Sequence, residues 1–227
     1  MRKYQTLLLD ADGTLFDFDA CESEALKLVF QKYGYPLDDS IKERYETINK
    51  GLWLRYELGE IDRDTVIYTR FSELFRQLGI EDDGILFEDD YQKYLGMQHF
   101  FIEGAPELLE YLFGKYDLYI VTNGVTATQY RRLRESGVEH YMKRIFVSQE
   151  TGYQKPQREF FDYCFQRIDP LDLSRTLIIG DSLSSDILGG NNAGIDTCWY
   201  NPGALVNDMK VQVNYEIRTL KELSDLL

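Results

Sequence analysis

The stretch Leu7-Leu8-Leu9-Asp10-Ala11-Asp12-Gly13-Thr14 decides how the chain reads. Thr6 to Leu9 is an apolar run of strand length, and two acids follow it at once. Residues two apart in extended backbone point to the same side, so Asp10 and Asp12 would stand together at the carboxyl end of a buried strand. Carboxylates this close repel unless a cation lies between them or they share a proton. Ligands of open α/β sheets bind at that same end, which puts the pair in the expected crevice. An acidic Asp-Gly turn without chemistry is the alternative.

Further short apolar runs at Leu118-Thr122, Arg144-Val147, Thr176-Ile179 and Thr197-Tyr200 alternate with helical patterns. This predicts a Rossmann-like parallel sheet with helices on both faces. Gly104-Ala105-Pro106 opens one helix, Gly137 closes the one carrying Tyr130 and Leu133, and Arg218 to Leu227 reads as a final docking helix. More than a hundred residues separate the first two strands, far beyond the need of a parallel crossover. The stripes Ile41, Tyr45, Ile48, Leu52 and Ile67, Phe71, Leu74, Phe75, Leu78 have helical spacing, with Gly59 and Gly79 as stops. The expectation is an α/β core formed by 1–18 and 99–227, with an all-α cap over 19–98 inserted after the first strand.

Composition narrows the chemistry. With 227 residues, 44% of them hydrophobic, the chain can bury a core without staples. A formal net charge of -14 and no basic stripe disfavour a nucleic-acid polymer, while a small phosphate ester stays possible where a metal ion and a lysine reverse the local potential. Cys21, Cys164 and Cys198 are odd in number and widely spaced, which suggests neither a disulfide framework nor zinc, and fits a reducing, cytoplasmic setting. No targeting or membrane segment is expected, and oligomeric state is not encoded in any legible way.

Three more strand ends carry reactive residues. Ile120-Val121-Thr122-Asn123-Gly124 runs from a strand into a turn and a helix, so Thr122 and the amides of Asn123 and Gly124 could bind a phosphoryl oxygen or simply cap the helix. Gln154-Lys155-Pro156 places a lysine at a helix mouth, where it would neutralise a nucleophile and a phosphoryl group unless it is an ordinary surface lysine. Ile178-Ile179-Gly180-Asp181-Ser182 adds an acid at a strand end, with Asp186 beyond it. Asp10, Asp181 and the main-chain carbonyl of Asp12 make an oxygen set suited to Mg²⁺, with Mn²⁺ or Co²⁺ as substitutes. Asp186 would orient Lys155 or a metal-bound water, although either late aspartate could be a mere N-cap.

Taken together, Asp10-x-Asp12-Gly-Thr14, Thr122, Lys155 and Gly180-Asp181-x4-Asp186 resemble the ordered motifs of the haloacid dehalogenase superfamily. Asn123-Gly124 with Gln129-Tyr130-Arg131-Arg132-Leu133, Asp186-Ile187-Leu188-Gly189-Gly190, Asp196-Thr197-Cys198-Trp199 and, in the cap, Asn49-Lys50-Gly51-Leu52-Trp53 and Arg70-Phe71 are similar to its pyrimidine 5'-nucleotidases. Ala11 and Gln154 depart from the usual residues without touching the chemistry. The resemblance implies that Asp10 forms an aspartyl-phosphate, that Asp12 acts as acid and then base, and that Thr14 stands behind the residues that meet the substrate. It implies a nucleoside monophosphate as substrate, with phosphoglycolate or sugar phosphatase and phosphoglucomutase as alternatives. A non-enzymatic signalling receiver also gathers acids, a Thr and a Lys, but lacks a large helical insertion after the first strand. Candidate leaving-group contacts are Phe16, Phe18, Asn49, Trp53 and Arg70, against hinge packing for the phenylalanines, cap core for Trp53 and a solvated helix face for Arg70.

Overall fold

A computed structural model describes residues 3–227. The chain divides into two compact units, one made of the segment up to Asp19 with His99–Leu227, the other of Ala20–Gln98.

In the first unit six parallel strands form one sheet: β1 (Thr6–Leu9), β2 (Asp117–Thr122), β3 (Arg144–Val147), β4 (Thr176–Gly180), β5 (Asp196–Tyr200) and β6 (Tyr215–Ile217). Their order is β3-β2-β1-β4-β5-β6. The central strand β1 therefore has neighbours that leave in opposite directions, and it pairs Leu9 with Ile120 on one side and Ile179 on the other. A crevice opens at such a point outside the carboxyl ends of the strands. Five strands lie where apolar runs predict them; β6 does not, because Tyr-Glu-Ile is three residues long with a charge in its centre. Its hydrogen bonds to β5 define it, and no pattern in the sequence does.

The second unit is helical, with α1 (Phe18–Tyr33) leading into it, followed by α2 (Asp39–Glu57), α3 (Arg63–Leu78) and α4 (Ile85–Leu95). Asp38 and Asp62 start α2 and α3 by accepting the amides of Ile41 at 2.9 Å and Thr65 at 2.7 Å. Gly79 ends α3 in the left-handed conformation that glycine adopts without a steric penalty. Inside, Phe71 meets Phe87 and Tyr45 at ring-centroid distances of 4.7 and 5.0 Å.

Both faces of the sheet are covered. Leu7 and Leu9 point to α5 (Ala105–Leu112), α6 (Thr126–Glu135) and α10 (Leu220–Leu226) through Leu108, Leu109, Leu133, Leu220 and Leu223. Between α6 and α10 in the chain come α7 (Ser148–Thr151), α8 (Arg158–Phe165) and α9 (Leu188–Ala193). Leu8 points the other way, to Phe160, Phe161 and Cys164 of α8 and Ala193 of α9. Each of these fully buried leucines stabilises the fold by about 1.5–3 kcal/mol, and together they fix which way Asp10 must face. Among the described residues no helix is long and apolar enough to cross a membrane.

Candidate active site

Asp10 continues β1 beyond its last paired residue, with its amide donating to the Ile179 carbonyl at 3.0 Å. The chain then turns sharply: Gly13 has φ of +77°, and a Cβ there would lie 2.5 Å from Asp181 Oδ2. Glycine is required on both counts. Its bare backbone lets Asp181, at the end of β4, approach the turn. Gly180 does the same for Asp186, whose Cγ would stand 2.2 Å from a Cβ.

Lys155 is 1% exposed and spends all three of its N–H donors on protein acceptors. Nζ donates to Asp10 Oδ1 at 2.6 Å, to Asp186 Oδ1 at 2.6 Å and to the Val121 carbonyl at 2.8 Å. With all three donors engaged, no free N–H remains on Nζ, which narrows its predicted role as a direct phosphate ligand. Asp186 does orient Lys155, and its Oδ2 accepts from the Ser182 amide at 3.2 Å. The Asn123 side chain braces the lysine from the main chain, accepting from Lys155 N and donating to Lys155 O, each at 2.9 Å.

Burial is the main influence pushing the Asp10 carboxyl above the ordinary range; Lys155 pulls it down, and Asp186 and Asp181 push it up again. Burial opposes the charge of Lys155 too, but Asp10 and Asp186 outweigh it and hold the ammonium above its usual pKa. Asp181 is open to water, yet the protein packed around it, reinforced by the charge of Asp186, pushes it up to about 7. One oxygen from each of Asp10, Asp181 and Asp186 lies within 4.8 Å of the others. Such crowding of oxygens is what a hard divalent cation relieves.

Asp12 faces elsewhere. Its Oδ2 accepts from Gln129 Nε2 at 2.8 Å and its Oδ1 is paired with Arg132, so its carboxyl stays out of the acid cluster and only its carbonyl remains for a metal. Gln129 Nε2 also donates to Thr122 Oγ1 at 2.7 Å, which leaves the Thr122 proton free for another acceptor. Neither Gln129 nor Arg132 follows from the strand-end motifs. Their signal was the Gln129-Tyr130-Arg131-Arg132 phrase, which periodicity explains equally well as a helix face. Thr14 Oγ1 is buried with no hydrogen-bond partner among the described residues.

The leaving-group candidates fare unevenly. Phe16 is fully buried, packed at a tilt against Phe101 and beneath the Arg132 guanidinium, so it offers no surface to a base. Asn49 and Arg70 are not offered to a ligand either. Arg70 is 1% exposed, donates to Glu88 at 2.6 and 2.8 Å, and gives a third bond to Asn49, which donates in turn to Glu22. A solvated face for Arg70 is equally excluded. Trp53 packs edge-on against Tyr56 in an apolar cluster with Leu52 and Val66. Phe18 lines an open space, a cavity of about 550 Å³ beside Asp12, Asp181, Asp17 and Tyr200.

A parallel sheet whose central strand end carries a lysine-clamped carboxylate beside two further acids defines an open α/β fold with an oxygen-rich site at the carboxyl ends of its strands. The description of haloacid dehalogenase-like hydrolases fits residues 4–194, and the chain belongs to that family. It is 43% identical over 225 residues to the pyrimidine 5'-nucleotidase PynA of Streptococcus pneumoniae, covering 99% of this chain and 95% of that one. It is 32% identical to the pyrimidine 5'-nucleotidase YjjG of Escherichia coli, over 99% of this chain and 98% of the other. The crystal structure of the HAD-hydrolase YfnB from Bacillus subtilis, bound to magnesium, superposes with a TM-score of 0.95 at 49% identity, covering 100% of this chain and 99% of that one.

Proposed function

We propose that this hydrolase is a Mg²⁺-dependent phosphomonoesterase that works through an aspartyl-phosphate on Asp10, and that its substrates are pyrimidine nucleoside 5'-monophosphates, non-standard ones included. The observation that carries the proposal is the fixed set of Lys155, Asp10, Asp181 and Asp186 with Asp12 two residues from the nucleophile. The names of the two nucleotidase relatives, each similar over nearly the whole chain, support the substrate class.

Lys155 holds Oδ1 of Asp10, so the carboxylate has one anchored oxygen and one to attack with. Attack forms the Asp10–phosphorus bond and breaks the bond to the ester oxygen, while Asp12 supplies the proton that oxygen needs. Water then attacks phosphorus, gives its proton to Asp12 and releases Asp10 with inorganic phosphate. Thr122 donates to a phosphoryl oxygen with the amides of Asn123 and Gly124 beside it. Mg²⁺, or Mn²⁺ or Co²⁺ in its place, fits the oxygen-only set of Asp10, Asp181 and Asp186 with the Asp12 carbonyl, and would supply positive charge to the phosphoryl group. The helical unit is proposed as the cap that selects the leaving group. Three buried cysteines without a disulfide support a reducing, cytoplasmic setting.

The test is a panel of nucleoside monophosphates, sugar phosphates and phosphoglycolate, with and without Mg²⁺, for the native chain and Asp10→Asn. Phosphate release from pyrimidine nucleotides, abolished by chelation and by Asp10→Asn, is expected. Preference for phosphoglycolate would overturn the substrate, and turnover by Asp10→Asn would overturn the nucleophile.

A further inference from the structure

Gln129 and Arg132 stand one turn apart on α6, and both are buried, 2% and 0% exposed. A glutamine and an arginine in the interior need a reason, because burying a guanidinium is costly and an apolar side chain would fill the space more cheaply. Their bonds supply one. Gln129 Nε2 bridges Asp12 Oδ2 and Thr122 Oγ1, at 2.8 and 2.7 Å, while Arg132 Nη1 meets Asp12 Oδ1 and donates to Gln129 Oε1 at 3.0 Å. The three side chains of Asp12, Gln129 and Arg132 close a ring.

Two further features hold that ring in place. The Arg132 guanidinium lies over the Phe16 ring, 4.8 Å from its centroid, which restricts the fork to one plane. At Gly124 a Cβ would come within 2.5 Å of Gln129 Cγ, so the glycine after Asn123 is what admits the glutamine to the strand ends. Arginine only donates, and so does the amide nitrogen of glutamine; the two oxygens of Asp12 are therefore received separately, each at a set place. Charge-assisted bonds of this kind fix direction as well as distance.

We infer that Gln129 and Arg132 are positioning residues for the reaction: they hold the Asp12 carboxyl in the orientation from which it exchanges protons with the ester oxygen and with water, and Gln129 ties that orientation to Thr122. The inference rests on the catalytic role of Asp12 proposed above. Both act through Asp12 and Thr122, the groups they hold.

The full-length Arg132→Met, Arg132→Lys and Gln129→Met variants, each with and without Asp12→Asn, are to be assayed on uridine 5'-monophosphate and on p-nitrophenyl phosphate. Arg132→Met and Gln129→Met should lower kcat about 10- to 100-fold with KM little changed, the range for partners that orient a reacting group. Arg132→Lys should recover part of the loss. Combined with Asp12→Asn, the substitutions should cost nothing further, since each removes the same contribution. Losses that multiply in the double variants, or native kcat in Gln129→Met, would overturn the inference. Thermal melting shows whether Arg132→Met folds; if it does not, Arg132→Lys and Gln129→Met decide the matter. Full activity in Asp12→Asn alone would instead remove the catalytic role of Asp12, a result distinguishable from failure of the ring.

Discussion

Lys155 and Asp181 respond to the same crowding in opposite ways. The lysine has three acceptors and keeps its charge; Asp181, hemmed in by protein with Asp186 beside it, is pushed up to about 7. An acid with a raised folded pKa keeps its proton over a range where the unfolded chain has released it. Its contribution to the stability of the metal-free protein is therefore present below about pH 4 and is lost as pH rises to about 7. A divalent cation bound among these acids should reverse that loss. Millimolar Mg²⁺ is expected to raise the melting temperature more at about pH 8 than at about pH 5.5, and an equal shift at both would count against binding there. Of the residues involved, Asp10, Asp12, Thr122 and Asp181 are legible because each ends or follows a strand, where side chains converge by construction, while Lys155, which comes after α7, is legible only from its place before Pro156. Gln129 and Arg132 are not, because a polar stripe on a helix looks the same whether it faces water or a carboxylate.

At the level of elements, the helical unit shows what periodicity leaves out. The apolar stripes of α2 and α3 correctly mark their buried faces, but Arg70 and Asn49 lie on those faces as well and join Glu88, Glu22, Tyr45 and Tyr91 in one network. The Arg70–Glu88 pair is 2% and 1% exposed at its side chains. Replacing Arg70 by Met leaves a buried carboxylate without its cation, and unfolding in denaturant should show a loss of about 3–5 kcal/mol. Replacing both partners with apolar residues of similar volume should restore most of it, since the penalty belongs to the unpaired charge. A native-like stability in Arg70→Met would mean that Glu88 finds another partner. A similar limit hides β6, whose place on the sheet rests on backbone bonds to β5 and on no apolar run.

Across the whole molecule, a charge of -14 repels the dianionic esters that the site is proposed to bind. Salt screens such repulsion over about 10 Å at 0.1 M, so kcat/KM for a nucleoside monophosphate should rise as ionic strength increases from near zero to about 0.1 M. A fall would mean that the local potential of Lys155 and the metal dominates even at long range. By itself, the sequence determined the parallel core, the helical insertion and the strand-end acids, because strand alternation, loop length and turn chemistry are local and repeat along the chain. Tertiary structure decided which polar side chains face one another. It turned the Asp12 carboxyl toward Gln129 and Arg132, gathered Asp186 with Asp10 and Asp181, and enclosed Phe16, Asn49 and Arg70, since contacts between residues distant in the chain depend on packing that no local pattern records.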